Sequence, residues 1–302
     1  MTFRLGLLIP KFASDPKKLF PTLVAQTREA EAAGYEAVFV MDHFYQAANI
    51  GAVEDPMPEA YTTLGALAAA TDTVQLGALV TGVTYRNPAL VAKEITTLDV
   101  ISAGRAILGM GAGWYELEHR QLGFDFGTFG ERFNRLDEAL QIIGPMVDGQ
   151  RPTFTGSYYR TEEALAQPRY RDHIPLMLGG SGEKKAIPMA ARYFDHMNLM
   201  CDLSELPRKA EVVRRCCEDI GRDPATLATS TMVVVDVDGT MSPEQIAAAS
   251  ANFISGSPTA IAEQIKARVF DAGVGGVVLS VFDYRPGVVA ELADALRPLL
   301  PA

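Results

Sequence analysis

Leu176-Met177-Leu178-Gly179-Gly180-Ser181-Gly182-Glu183-Lys184-Lys185 is an apolar run that ends in glycines and passes straight into a helical pattern. Bare backbone at Gly179, Gly180 and Gly182 lets the chain turn sharply. It also lets several N–H groups converge on an anion, where the first helical turn adds partial positive charge. Taken alone, these residues fit either a phosphate cradle or a plain strand-to-helix turn that needs positive φ. The recurrence of the same unit along the chain decides the fold. Short apolar runs fall at Leu5 to Ile9, Ala37 to Met41, Val74 to Val80, Arg105 to Met110, Leu176 to Leu178, His196 to Met200, Met232 to Val237 and Gly276 to Val281. Between them lie helical patterns at Leu19 to Ala33, Ala60 to Ala70, Ala89 to Ile101, Glu131 to Val147, Glu183 to Tyr193, Glu205 to Ile220 and Thr259 to Ala272, with Val288 to Leu299 closing the chain. Eight such units predict a parallel (β/α)8 barrel spanning 1–302 as one domain, with a doubly wound sheet as the alternative. The irregular stretch from Gly149 to His173 is too long for an ordinary connection and reads as an insertion over the barrel's C-terminal mouth.

Composition narrows the function classes. With 302 residues, 48% of them apolar, the chain has ample material for a large core. The formal net charge of −10 argues against a nucleic-acid partner. No stretch approaches the roughly 18 apolar residues of a membrane span, and the start has no leader pattern, so a cytoplasmic protein with no membrane partner is expected. The three cysteines, Cys201, Cys216 and Cys217, lack ligand spacing, so neither disulfides nor a metal site is expected. G-x-S-x-G, H-E-x-x-H and GK[ST] motifs are absent from the sequence.

In a parallel barrel the chemistry sits at the carboxyl ends of the strands. After the second run comes Asp42-His43-Phe44-Tyr45, where His43 is either a proton carrier or a structural histidine, and Asp42 orients it or a ligand. After the third, Gly82 in Thr81-Gly82-Val83-Thr84-Tyr85-Arg86-Asn87-Pro88 permits a strained or closely approached backbone, or simply a loop. The fourth leads into Gly109-Met110-Gly111-Ala112-Gly113-Trp114. A dinucleotide fingerprint fails there because Trp114 occupies its third glycine position, while Gly111 and Gly113 leave room for a flat ring. Trp114 either lines a pocket, where it counts with His43 among the candidate catalytic residues, or plugs the barrel top. Glu118 and His119 read as part of a helix packed on the barrel, with Glu118 a buried structural carboxylate.

The ordered set Asp42-His43-Phe44, Leu64 to Thr71, Tyr85 to Ala89, Gly104 to Gly109, Gly111 to Trp114, Glu131-Arg132-Phe133 and Gly179 to Gly182 resembles the luciferase-like oxidoreductases, in their deazaflavin-dependent branch. That branch includes methylenetetrahydromethanopterin reductase and the F420-dependent glucose-6-phosphate dehydrogenases. The resemblance implies a coenzyme F420-dependent hydride transfer to or from a small organic substrate. It places the cofactor ring in the mouth near Asp42, Gly111 and Gly113, and the phosphate near Gly179, Gly180, Ser181 and Gly182, with Lys184 or Lys185 on the phosphate or acidic tail. It further implies a non-proline cis peptide at Gly82-Val83 beneath the ring, His43 as acid in the reaction, and a homodimer formed through early barrel helices. Trp114 stands where the sugar-phosphate dehydrogenases carry a Glu, and their phosphate-binding lysines have no counterpart after Met200. An enone, imine, ketone or alcohol is therefore expected instead, in a mouth lined by Phe44, Tyr45, Tyr85, Trp114 and Tyr158, with Arg285 available for a carboxylate. An FMN-dependent monooxygenase and a non-catalytic flavin or deazaflavin binder are the alternatives.

Overall fold

The computed structural model describes residues 3–237, 239–282 and 284–301. Its eight main strands are β1 (Leu5–Ile9), β2 (Ala37–Val40), β3 (Gln75–Ala78), β4 (Ala106–Gly111), β5 (Leu176–Gly180), β6 (His196–Leu199), β7 (Ala228–Asp236) and β8 (Gly276–Val281). All pair in parallel in the order β1 to β8, and β8 returns to β1 with Leu5 opposite Val277, so the sheet closes. Closure rules out the doubly wound alternative. Alternate residues point inward and outward along each strand, as a barrel requires. Phe3, Phe39, Ile107, Met177 and Val278 pack together as one cluster, whereas Leu7, Val38, Leu76, Leu108 and Leu178 join the larger core under the helices.

The helices are α1 (Pro16–Ala32), α2 (Ala60–Ala70), α3 (Pro88–Ile101), α4 (Glu116–Leu122), α5 (Phe129–Val147), α6 (Ala186–Tyr193), α7 (Leu206–Asp219), α8 (Pro243–Ala249), α9 (Pro258–Ile265) and α10 (Val288–Leu296). Their starts follow from local chemistry. Asp15 caps α1 ahead of Pro16, Asn87 caps α3 ahead of Pro88, and Thr128 with Glu131 forms a reciprocal capping box on α5. α6 begins three residues later than the sequence pattern suggests, because Glu183 to Lys185 form a turn before it. α8 had no expectation from the sequence. Within 149–173 the chain forms a small antiparallel hairpin, Phe154–Thr155 with Arg160–Thr161.

Two strands depart from their expected limits. β7 starts four residues earlier than its apolar run, since its first half is polar: Ser230 bonds His196 and Asn198, and the Thr231 hydroxyl donates to the Leu199 carbonyl. β3 ends at Ala78, two residues short of Val80, and Thr81–Gly82 then rejoins the sheet beside β4. The non-proline cis peptide lies in that step, at Leu79–Val80, and not at Gly82–Val83. The expected position was displaced because the apolar run was read through to Val80, whereas the extended strand stops before it.

Candidate active site

A cavity of about 400 Å³ opens at the carboxyl ends of β2 to β6. Its floor is mostly backbone. Gly111, Gly179 and Gly180 lie there, and the side chain of Val80 fills the space that the missing side chains of Gly111 and Gly179 leave. A Cβ on Gly111 would stand 2.7 Å from Val80 Cγ2, and one on Gly179 would stand 2.8 Å from Val80 Cγ1. The expectation that Gly111 makes room for a flat ring is thus refined: it makes room for Val80, which presents a smooth surface to the cavity. Gly113, at φ +80°, passes over Thr84 in a conformation that only glycine adopts readily.

His43 and Asp42 line one wall, each held by a different partner. Asp42, nearly fully buried, accepts from the Gly82 amide at 3.0 Å and from Arg86 Nη1 at 2.8 Å. Burial raises the Asp42 carboxyl against the pull of Arg86 and Gly82. Arg86 also reaches Glu59 at 2.7 Å and Glu94 at 3.4 Å and lies over the Tyr61 ring, so Asp42 anchors the loop after β3 and does not orient His43.

That task falls to Glu118 on α4. Its Oε2 stands 2.9 Å from His43 Nδ1 and accepts from Tyr85 Oη at 2.6 Å, and its Oε1 accepts from the Phe44 and Tyr45 amides at 2.5 and 2.8 Å. The carboxylate is fully buried. Burial would raise its pKa, but the bonds from His43 and Tyr85, the adjacent imidazole and the Tyr45 amide hold it below the ordinary carboxylate range. With Nδ1 occupied, Nε2 is the ring nitrogen left to the cavity. The His43 ring sits edge-on to Trp114 at 5.3 Å, and Trp114 stacks on Tyr115. His119 is structural, as its sequence position implies. Its Nδ1 bonds the Tyr115 carbonyl, its Nε2 accepts from Thr84 at 2.6 Å, and burial lowers its pKa.

Trp114 and Phe129 stand at the rim, 59% and 61% exposed, with Met200 beside them. Arg132, on α5, also lines the cavity. It donates to the Gly113 and Gly127 carbonyls and lies 3.9 Å over Phe126. Of the residues singled out from sequence, Asp42, His43, Gly82, Tyr85, Gly111, Gly113, Trp114, Gly179 and Gly180 meet in this cavity. The others lie elsewhere. Val83 is buried in the outer core. Phe44 packs on Phe124 and edge-on to Tyr85. Arg285 makes a two-pronged pair with Glu291 on α10. Ser181 Oγ donates to the Met200 carbonyl, and the Gly182 carbonyl accepts from Ile187 at the start of α6. Lys184 does not line the cavity, while Lys185 and Tyr158 line an adjoining hollow of about 390 Å³ between α5, α6 and the hairpin. Sequence reading passed over Arg86, Glu118 and Arg132 as site residues, although Arg86 and Arg132 stand in the quoted motifs.

A closed (β/α)8 barrel with one glycine-floored cavity at its mouth, walled by a carboxylate-bonded histidine and an aromatic rim, defines the class of this molecule. The chain belongs to the luciferase-like monooxygenase family, whose model matches residues 3–260. It is 36% identical over 154 residues to an F420-dependent glucose-6-phosphate dehydrogenase of Microbacterium testaceum, a match covering 51% of this chain and 45% of the relative. It is 33% identical over 209 residues to the F420-dependent hydroxymycolic acid dehydrogenase of Mycobacterium tuberculosis, covering 68% and 56%. The chain thus spans about half the length of the curated relatives it matches. An F420-dependent secondary alcohol dehydrogenase, solved with an F420-acetone adduct, superposes over the full length of both chains at TM-score 0.84 and 20% identity, which establishes the shared fold. Among the described residues no helix is long and apolar enough to cross a membrane, and no cluster of three or more His, Cys, Asp or Glu is placed to hold a metal.

Proposed function

We propose that this protein is a coenzyme F420-dependent oxidoreductase that moves a hydride between the deazaflavin and a small alcohol, ketone, enone or imine. The observation that carries the reading is His43, which lines the same cavity as Val80, Gly111 and Gly179 with Nδ1 on the buried Glu118, leaving Nε2 as the ring nitrogen available to a bound molecule. The residues present fit a flat, anionic cofactor. The glycine floor with Val80 offers a smooth face for a tricyclic ring. Arg132 brings positive charge to the cavity, and Lys185 at the start of α6 with Arg192 brings it to the adjoining hollow, where Asp137 and Glu138 also stand. When bound, the cofactor would supply the hydride acceptor or donor. His43 Nε2 takes the substrate's hydroxyl proton in oxidation and returns it in reduction. Trp114 and Phe129 shield an apolar substrate at the rim, a lining poorly suited to a sugar phosphate.

Titration of the protein with F420 and with FMN, oxidised and reduced, by cofactor fluorescence and calorimetry tests this reading. Micromolar or tighter F420 binding with FMN ignored supports it, preference for reduced FMN replaces it with the monooxygenase alternative, and binding of neither removes it. A homodimer formed by a second copy on the α2–α3 face is part of the same proposal. A groove of about 460 Å³ runs there beside Gly65, flanked by half-exposed Leu90 and Ile101. Sedimentation at micromolar concentration decides it. A cytoplasmic location is proposed too, supported by three cysteines that are all unpaired.

A further inference from the structure

Glu118 is bonded in a way that restricts its own protonation state and, through it, that of His43. Oε1 faces two backbone N–H groups, which can only donate. Oε2 faces the Tyr85 hydroxyl and His43 Nδ1. The surroundings favour the carboxylate in this fully buried site: it accepts from both amides, from the Tyr85 hydroxyl and from Nδ1–H, and these bonds hold it below the ordinary carboxylate range. An ionised Glu118 has no hydrogen to give, so the 2.9 Å contact forms only if Nδ1 carries the proton.

We propose that Glu118 is the positioning residue that fixes His43 as the Nδ1–H tautomer, with the Nε2 lone pair held towards the cavity. The idea rests on the proposed function for its catalytic meaning, but the tautomer exists with or without a bound cofactor. In oxidation of an alcohol, the substrate's O–H bond breaks and its proton passes to His43 Nε2 as the C–H electron pair leaves with the hydride. Glu118 then faces an imidazolium and stabilises its charge across the existing hydrogen bond. In the reverse direction the same proton returns to the substrate oxygen and the neutral Nδ1–H ring is restored. The arrangement ties the loop after β2 to α4, which follows β4, so the proton carrier and the group that sets its state come from barrel units two strands apart.

Long-range proton–nitrogen NMR correlation on the protein with nitrogen-15-labelled histidine, at a pH where His43 is neutral, reads the tautomer directly. The sequence has four histidines, and His43→Gln assigns the resonance by its loss. The expected pattern is protonated Nδ1 and bare Nε2. A wild-type ring protonated at Nε2 overturns the proposal without any variant. Glu118→Gln supplies the causal arm. Its carbonyl must stay on the two amides, which places its NH2 against His43 Nδ1 and forces the proton to Nε2. A reversed pattern in the variant supports the proposal, and an unchanged one refutes it. Tyr85→Phe removes one donor from Oε2 and leaves the His43 contact, so it retains the wild-type pattern. In F420-linked turnover, Glu118→Gln lowers kcat about 100-fold with cofactor affinity within threefold. If the protein does not bind F420, the functional reading fails while the tautomer result stands on its own.

Discussion

Replacing Arg86 with Met removes the cation that holds the loop after β3 and leaves its carboxylate partners in place. Asp42 is 1% exposed and pairs at 2.8 Å, Glu94 is about a quarter exposed at 3.4 Å, and Glu59 is the most exposed of the three. Truncating one partner of a buried pair costs about 3–5 kcal/mol, because the other charge stays buried without compensation. Glu59, screened by water, adds roughly 0.5 kcal/mol or less. For 302 residues the unfolding entropy is about 0.6 kcal/mol/K, so the expected loss in Tm is roughly 5–8 °C. The sign with pH follows from the acids left behind. Their folded pKa values rise above the unfolded ones, so the penalty is fully present at neutral and higher pH and shrinks as pH falls and they take up protons. Thermal unfolding of Arg86→Met at pH 8 and pH 5 therefore gives a larger loss at pH 8. Adding Asp42→Asn recovers at least a third of that loss, since the amide still accepts from Gly82 and no longer buries a charge. A Tm loss under 2 °C at pH 8, or a double variant no more stable than Arg86→Met, would refute the argument.

The other expectations are more local. His43→Ala lowers F420-linked turnover about 100-fold while F420 titration shows unchanged affinity, and wild-type rates would exclude His43 from proton transfer. Gly179→Ala drives Val80 upward from a 2.8 Å clash and weakens F420 binding about tenfold. Val80→Ala in the same chain restores it, and an undisturbed affinity in the single variant would show that the floor does not carry the ring. His173 bridges Asp148 and Asp195; burial opposes its charge, but the two carboxylates outweigh it and raise its pKa. Its stabilisation is fully present below about pH 6.5 and fades as pH rises through the higher folded value. Tm scans from pH 5.5 to 8 show this fading in the wild type and its loss in His173→Gln; parallel curves would refute it.

The barrel was legible because each β/α unit repeats one hydrophobic signature, and parallel strands buried on both faces read as apolar runs. What failed was local. β7 hid its first half because Ser230 and Thr231 bond neighbouring strands from inside the sheet, so polar residues stand where apolar ones were sought. The step at Leu79–Val80 left no mark in an apolar stretch, and it moved the cis bond three residues from its expected place. His43, Trp114 and the glycines were legible as a site because strand ends in a barrel converge. Glu118 was read as buried and hydrogen-bonded, which it is. Its partner could not be read, because the His43 contact spans 75 residues and no periodicity encodes it. Arg285 looked available at the end of β8, yet Glu291 on the next helix takes it.

One carboxylate fastens three successive units of the mouth, through His43 after β2, Tyr85 after β3 and its own helix after β4. Those loops are tied together by that clamp, so this half of the rim is held as one piece. The 149–173 segment meets this half of the rim where the Tyr159 hydroxyl donates to the Val83 carbonyl. A substitution at Glu118 is therefore felt in all three units at once, as a loosening of the whole histidine side and not of a single contact.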